Sequence, residues 1–213
     1  MNDDLKIAQL VSSRICHDLA SAAVAVNAGL ELLEEHQGND PEALGLVETG
    51  AQLLNNRLSF FRAAFGQTGE KSVAETRDLA MRYLVDGKAR LQWSVSANVS
   101  EQGRVTGFDS RVTLLLILLA SEALLRGGDI TVQVAVLPEG CGVAVNANGE
   151  GARLRDEIKT VFIESPGVTE VLTPRNIHGY CLFCLLNEMN TSIETEFVDN
   201  SVRFAVLLPG SSK

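Results

Sequence analysis

Apolar and small residues in the first third of the chain recur at alternating spacings of three and four. Leu5, Ala8, Ser12, Ile15, Leu19, Ala22, Val26, Gly29 and Leu33 make one stripe, which predicts a helix from about Asp3 to Glu35. His36-Gln37-Gly38-Asn39 reads as a turn, Asp40 as the cap of a second helix and Pro41 as its first residue. That helix runs to about Phe65, with a stripe of Leu44, Val47, Ala51, Leu54, Leu58, Phe61 and Phe65. Two helices of this length cannot enclose both stripes between themselves. The pattern therefore predicts a four-helix bundle, formed with a second copy of the chain or by docking on its remainder. A homodimer is the favoured solution, because both stripes continue for about seven turns.

The pattern changes after Phe65. Gln67-Thr68-Gly69-Glu70-Lys71-Ser72 reads as a polar linker between a helical hairpin, residues 1–66, and a second unit, residues 72–213. In that unit Val73–Leu84 is helical, Arg90–Val95 is a strand, and Asp109–Arg126 is a strongly apolar helix stopped by Gly127-Gly128. Ile130–Val136 and Gly142–Val145 are strands joined by a turn at Leu137-Pro138-Glu139-Gly140. Leu154–Phe162 and Arg175–Met189 are helices, and Ile193–Val198 and Val202–Leu208 form a hairpin around Asp199-Asn200-Ser201. The fold class is α+β, with helices packed on one face of a mixed sheet.

Composition narrows the choice of partner. Of 213 residues, 46% are hydrophobic and 21% charged, which describes a globular chain and excludes wholesale disorder. The net charge of −9 repels phosphate backbones and anionic lipid, so neither nucleic acid nor a membrane surface is an expected partner. Residues 1–70 carry −6 of it, so the acidic excess sits on the hairpin, where it suits a partner with a basic rim. The N-terminus lacks a basic-then-apolar leader pattern. The longest apolar stretch, in Val112–Leu125, is interrupted by Thr113, Ser121 and Glu122 and is too short and polar to span a bilayer. Cys16, Cys141, Cys181 and Cys184 read as reduced thiols, and the cytoplasm is the expected compartment.

The candidate chemistry centres on His17. Helical spacing places it opposite the buried stripe, facing solvent in the middle of a rigid helix. Asp18 follows it, and the next turn, Ala20 to Ala25, is built almost wholly of small side chains that leave a low surface for another protein. A neutral imidazole is a good nucleophile, and a carboxylate at its other nitrogen orients the ring and stabilises the cation that develops. An exposed imidazole cannot build a closed pocket, so its electrophile arrives on a partner. An aspartyl phosphate fits, since it is high in energy and needs little covalent help. Leu10, Ser13, Arg14, Ser21, Val24 and Asn27 share the outer strip with His17 and are the candidate docking residues.

The run Ser13-Arg14-Ile15-Cys16-His17-Asp18-Leu19-Ala20-Ser21, continuing through Asn27-Ala28-Gly29-Leu30-Glu31-Leu32-Leu33, resembles the phosphoacceptor helix of the ChpT-type histidine phosphotransferases. The resemblance implies a histidine-kinase-like dimerisation hairpin forming a dimeric four-helix bundle, joined to a degenerate ATPase-like α/β sandwich. It implies a phosphorelay protein that takes a phosphoryl group from the receiver domain of a hybrid histidine kinase and passes it to response regulators. His17 would be the phosphoacceptor and Asp18 its acidic neighbour, with Mg²⁺ supplied on the receiver side. Many members have a proline where this chain has Ala22, which leaves open a helix kink there.

A working ATPase domain of the kinase type needs three features. It needs an Asn on the helix after the first strand, an Asp-x-Gly-x-Gly turn and a glycine-rich phosphate loop. This chain offers Ser121 or Glu122 for the first, Ala147-Asn148-Gly149-Glu150-Gly151 for the second, and Asn176-Ile177-His178-Gly179-Tyr180-Cys181 for the third. The adenine-reading Asp is replaced by Ala147, so no nucleotide cofactor is expected, and Gly149 and Gly151 read as parts of a turn. Cys181-Leu182-Phe183-Cys184 is a lone C-x-x-C without a second pair at zinc spacing, so its thiols read as core residues and no metal is expected. His36 reads as a charge at a helix C-terminus, and His178, near a helix start, is given no catalytic role. The rival readings are an ATP-dependent histidine kinase, labelled at His17 from ATP alone, and a non-catalytic dimeric interaction module, indifferent to loss of His17.

Overall fold

The computed structural model describes residues 3–36, 39–66, 71–97, 99, 105–163 and 171–210. Gln37 and Gly38 of the expected turn, and residues 67–70 of the expected linker, lie outside them. The chain opens with two antiparallel helices, α1 (Asp3–Glu35) and α2 (Pro41–Phe65). Their bounds are those the periodicity predicts, and the local chemistry accounts for the break between them. The Asp40 carboxylate accepts from the backbone N–H groups of Glu42 and Ala43, at 2.9 and 3.1 Å, a cap worth about 1 kcal/mol. His36, at the end of α1, also meets the same Asp40 side chain, its Nδ1 lying 2.5 Å away and bridging the turn. Capping N–H groups and His36 together hold the Asp40 carboxyl below the usual range.

The helices approach closely where each carries glycine. A Cβ on Gly29 would sit 2.7 Å from Val47 Cγ2, and one on Gly50 2.9 Å from Val26 Cγ2. Ala22, Gly29, Ala43 and Gly50 are the buried residues of this crossing. α1 continues as one helix through Ala22.

The rest is α3 (Val73–Tyr83), β1 (Ala89–Val95), α4 (Ser110–Ala123), β2 (Gly128–Leu137), β3 (Gly140–Asn148), α5 (Asp156–Ile163), α6 (Ile177–Glu188), β4 (Ile193–Val198) and β5 (Ser201–Pro209). The strands form one mixed sheet in the order β1-β2-β3-β5-β4, parallel only between β1 and β2. Alternation decides its faces. Ile130, Val132 and Val134 of β2 and Val202, Phe204, Val206 and Leu208 of β5 are buried, while Gln133, Arg203 and Leu207 between them are exposed. Helices therefore cover one face.

Ser72 and Glu75 form a capping box at the start of α3, and Asp109 caps α4. α4 stops at Ala123, three residues before the expected end, because Leu124 leaves helical geometry and Gly127 turns at φ +91°. α6 starts at Ile177 because the buried Asn176 side chain ties the preceding loop, accepting from Thr173 N–H and donating to the carbonyls of Glu157 and Val171. α4 is apolar all round and is the centre of the core. Phe60, Phe61, Ala63 and Ala64 from the end of α2 join the same cluster, with the Phe60 ring stacked on Tyr83 at 3.9 Å.

The start of α1 departs from the expected stripe. Leu5, Ala8 and Ser12 are exposed, and Ile7, Leu10 and Val11 pack instead against Val161, Leu172, Ile177, Tyr180 and Cys181. α5 and α6 give this end of α1 an apolar partner on a side that the hairpin alone would leave wet.

Candidate functional site

His17 stands on the open side of α1 with its side chain 84% exposed, and its Nδ1 lies 3.1 Å from Asp18 Oδ1. Nothing encloses the ring, and its other nitrogen is left to a visiting molecule. Asp18 is more deeply set, at 19% exposure, because its second oxygen accepts from Arg14 Nε at 2.7 Å. Arg14 in turn reaches across to α4, where its Nη2 lies 2.5 Å from Glu122 Oε1. Glu122 Oε2 lies 3.3 Å from Nε2 of the fully buried His178 and 3.7 Å from Arg155 Nη2. Burial opposes charge on Glu122, but His178 and Arg14 outweigh it and hold the carboxyl at about 2.

A second arginine braces the turn after His17. Arg57 of α2 donates through Nη1 to the Asp18 carbonyl at 2.7 Å and to Ser21 Oγ at 2.5 Å, and through Nη2 to Asp86 at 2.6 Å. Ser21 donates to the same Asp18 carbonyl at 2.9 Å. These bonds tie the turn that carries the imidazole to the partner helix.

The expected docking strip is only partly a surface. Ser13, Ser21, Val24 and Asn27 are exposed, Val24 at 65%. Leu10 and Arg14 are corrections: Leu10 packs against α5 and α6, and the Arg14 side chain, 13% exposed, spans two carboxylates. Helical spacing within the hairpin alone puts both outside, whereas the α/β unit covers their side of the helix. Arg57 and Asp86 were missed, since no spacing rule connects them to His17. Glu122 carried a readable signal, a lone charge in the apolar run Val112–Leu125, which a buried helix keeps only when it is paired.

At the first two of the three expected nucleotide positions the side chains and glycines are engaged within the fold itself. Ser121 donates to the Leu118 carbonyl of its own helix, and Glu122 is engaged by Arg14 and His178. Ala147 is a fully buried strand residue opposite Ile130 and Val202. Gly149 has no room for a side chain because the Gly127 carbonyl would lie 2.3 Å from its Cβ, and Gly151 adopts φ +70°. Both glycines serve a tight chain turn, with the Gly151 N–H donating to Asn200 Oδ1 at 2.7 Å.

Among the described residues no cluster of three His, Cys, Asp or Glu side chains is placed to hold a metal. All four cysteines are free. Burial pushes the Cys181 thiol up to about 12, whereas Cys184 is exposed rather than a core residue. No helix of the described residues is long and apolar enough to cross a membrane.

A helical hairpin with an outward histidine, set against a kinase-like α/β layer, defines the class to which comparison with known proteins leads. Residues 73–201 match the family described as histidine phosphotransferase C-terminal domain, and the chain belongs to that family. A protein phosphotransferase ChpT of Brucella abortus (strain 2308) is 36% identical over 136 residues. The match spans 61% of this chain and 61% of that protein. Among solved structures, one described as a bacterial phosphotransferase superposes with a TM-score of 0.80 and 25% identity, covering 95% of this chain and 96% of that one. The fold is also that of a histidine kinase, ThkA, solved in complex with the response regulator protein TrrA. That match has a TM-score of 0.52 at 16% identity and covers 98% of this chain and 63% of that one.

Proposed function

We propose that this chain is a phosphorelay histidine phosphotransferase. His17 Nε2 attacks the phosphorus of an aspartyl phosphate on a receiver domain. The N–P bond forms as the acyl P–O bond breaks, and the electron pair leaves on the receiver's carboxylate. The phosphoryl group then passes from His17 to the aspartate of a second receiver. Asp18, against Nδ1, stabilises the cation that the ring becomes. The carrying observation is the pairing of an 84%-exposed imidazole with a fixed carboxylate on a braced helix. The donor is read as the receiver of a hybrid histidine kinase and the acceptors as response regulators, in the cytoplasm. The relative solved with a response regulator bound supports partners of that type. Val24, Ser21 and Asn27, all exposed near His17, supply the docking surface, with Ser13 on its lower edge.

The same reading has the chain working as a homodimer with no nucleotide, residues 1–66 forming the transfer and dimerisation unit and residues 72–213 a degenerate ATPase-like unit. Leu5, Leu30, Leu44 and Leu58 are 52%, 45%, 50% and 45% exposed. Helical spacing puts them on one side of the hairpin, away from His17. An apolar face of this kind is covered by a second hairpin in a four-helix bundle.

The test is label transfer to the full chain from a radiolabelled phospho-receiver and, separately, from labelled ATP. We expect acid-labile, base-stable label from the receiver, none from ATP, and none in His17→Ala. Label from ATP alone overturns the reading.

A further inference from the structure

Among the described residues Asp18 is the hydrogen-bond partner of the imidazole, yet little about Asp18 itself would hold it there. An i,i+4 pair with arginine on an exposed helix contributes little, too little to fix one carboxylate rotamer. Here the arginine is not free. Arg14 is gripped from behind by Glu122 of α4, whose side chain is 10% exposed and itself faces the fully buried Nε2 of His178 in the first turn of α6. Hydrogen-bonded contacts run from α4 to the reactive ring through Glu122, Arg14, Asp18 and His17, and His178 adds a 3.3 Å approach to Glu122 that lacks hydrogen-bond geometry.

This chain of charges is an expensive way to join two units. Taking ions out of water is costly, and well-packed apolar residues join helices as well or better. Immediately beside it, Ile7, Leu10 and Val11 do join α1 to α5 and α6 by apolar contact. The charged contact is thus surplus to docking and has a geometric consequence that apolar packing lacks. Arg14 occupies Asp18 Oδ2 and leaves only Oδ1 for the ring. An ionised carboxylate accepts and cannot donate, so the nitrogen beside Oδ1 must carry the proton.

We infer that Arg14, clamped by Glu122, is a positioning residue that acts through Asp18 to hold His17 as the Nδ1–H tautomer, with the Nε2 lone pair presented outward. The inference rests on the phosphotransfer reading for its purpose. The α/β layer thereby takes part in the chemistry without touching the reacting atoms, and separating it from α1 leaves His17 exposed but disordered in tautomer.

The test needs no receiver. In mildly alkaline solution, two-bond ¹H–¹⁵N correlations on the ¹⁵N-histidine-labelled full chain report the tautomer of each ring. His17 is one of three histidines and is assigned by its loss in His17→Gln. We expect the Nδ1–H form to dominate in the wild type and to give way to the Nε2–H form in Asp18→Asn, in Arg14→Met and, to a smaller degree, in Glu122→Gln. Should Arg14→Met fail to fold, Glu122→Gln, which keeps side-chain volume, carries the test. A second arm uses transfer rates at saturating phospho-receiver. Arg14→Met lowers the rate about 10–100-fold, with the half-saturating receiver concentration unchanged, and has no further effect once Asp18→Asn is present. An Nε2–H ring in the wild type, an unmoved tautomer in folded Arg14 and Glu122 variants, or rate losses that multiply in the double variant would overturn the inference. A chain that takes no label from any receiver while showing the expected tautomers defeats the phosphotransfer reading alone.

Discussion

The two halves of α1 are held in different ways. From Asp3 to Asp18 the helix is held by the α/β unit, with Ile7, Leu10 and Val11 on α5 and α6 and Arg14 locked to α4. Beyond Ala20 it meets α2 across the glycine crossing, and Val24, Leu30 and Leu32 are exposed. His17 sits at the junction. The clasped half supplies a fixed electrostatic environment and the open half supplies free surface. A nucleophile that must be oriented and also reached by another protein needs both, and a junction provides them without a pocket.

The largest effect that separates the halves belongs to the open one. Leu44→Glu combined with Leu58→Glu puts four carboxylates into the proposed two-copy bundle. It is expected to convert dimer to monomer in sedimentation while each chain stays folded, because the changes lie away from the core around α4. A dimer that survives them places the second copy elsewhere. In the clasped half, Glu122→Leu removes the carboxylate beside His178 and leaves Arg14 with Asp18 alone, and a broken buried pair costs about 3–5 kcal/mol. The Glu122 carboxyl, at about 2, lies below its ordinary 4.5. Its contribution to stability is therefore complete above 4.5 and is lost as pH falls toward 2. Acid unfolding followed by circular dichroism should show that loss in the wild type and lack it in Glu122→Leu.

Local rules made the hairpin readable in the sequence. The stripe of α2, the Asp40 cap and Pro41 place a helix boundary by chemistry within a few residues, and the structure keeps it. His17 and Asp18 were legible for the same reason, since helical spacing alone says which residues face away from a stripe. What joins α1 to the α/β unit was not legible, because it depends on which face a distant helix covers. Ile7, Leu10, Val11 and Arg14 form a second stripe confined to the start of α1. It signals a partner there without naming it. Only the fold reveals that the partner of Arg14 is Glu122, 108 residues away. The glycines at 149 and 151 show the converse: a motif fragment survived in the sequence, and its use is a tight turn.

Passage of one phosphoryl group through the chain tests the central claim most directly. The full chain, phosphorylated by one labelled receiver and purified from it, is mixed with a second, unphosphorylated receiver and Mg²⁺. The account predicts that label leaves His17 and appears as an acid-stable, base-labile acyl phosphate on the second receiver, and that His17→Ala never enters the cycle. Label that stays on the chain, or is released only as inorganic phosphate for every receiver tried, would contradict it.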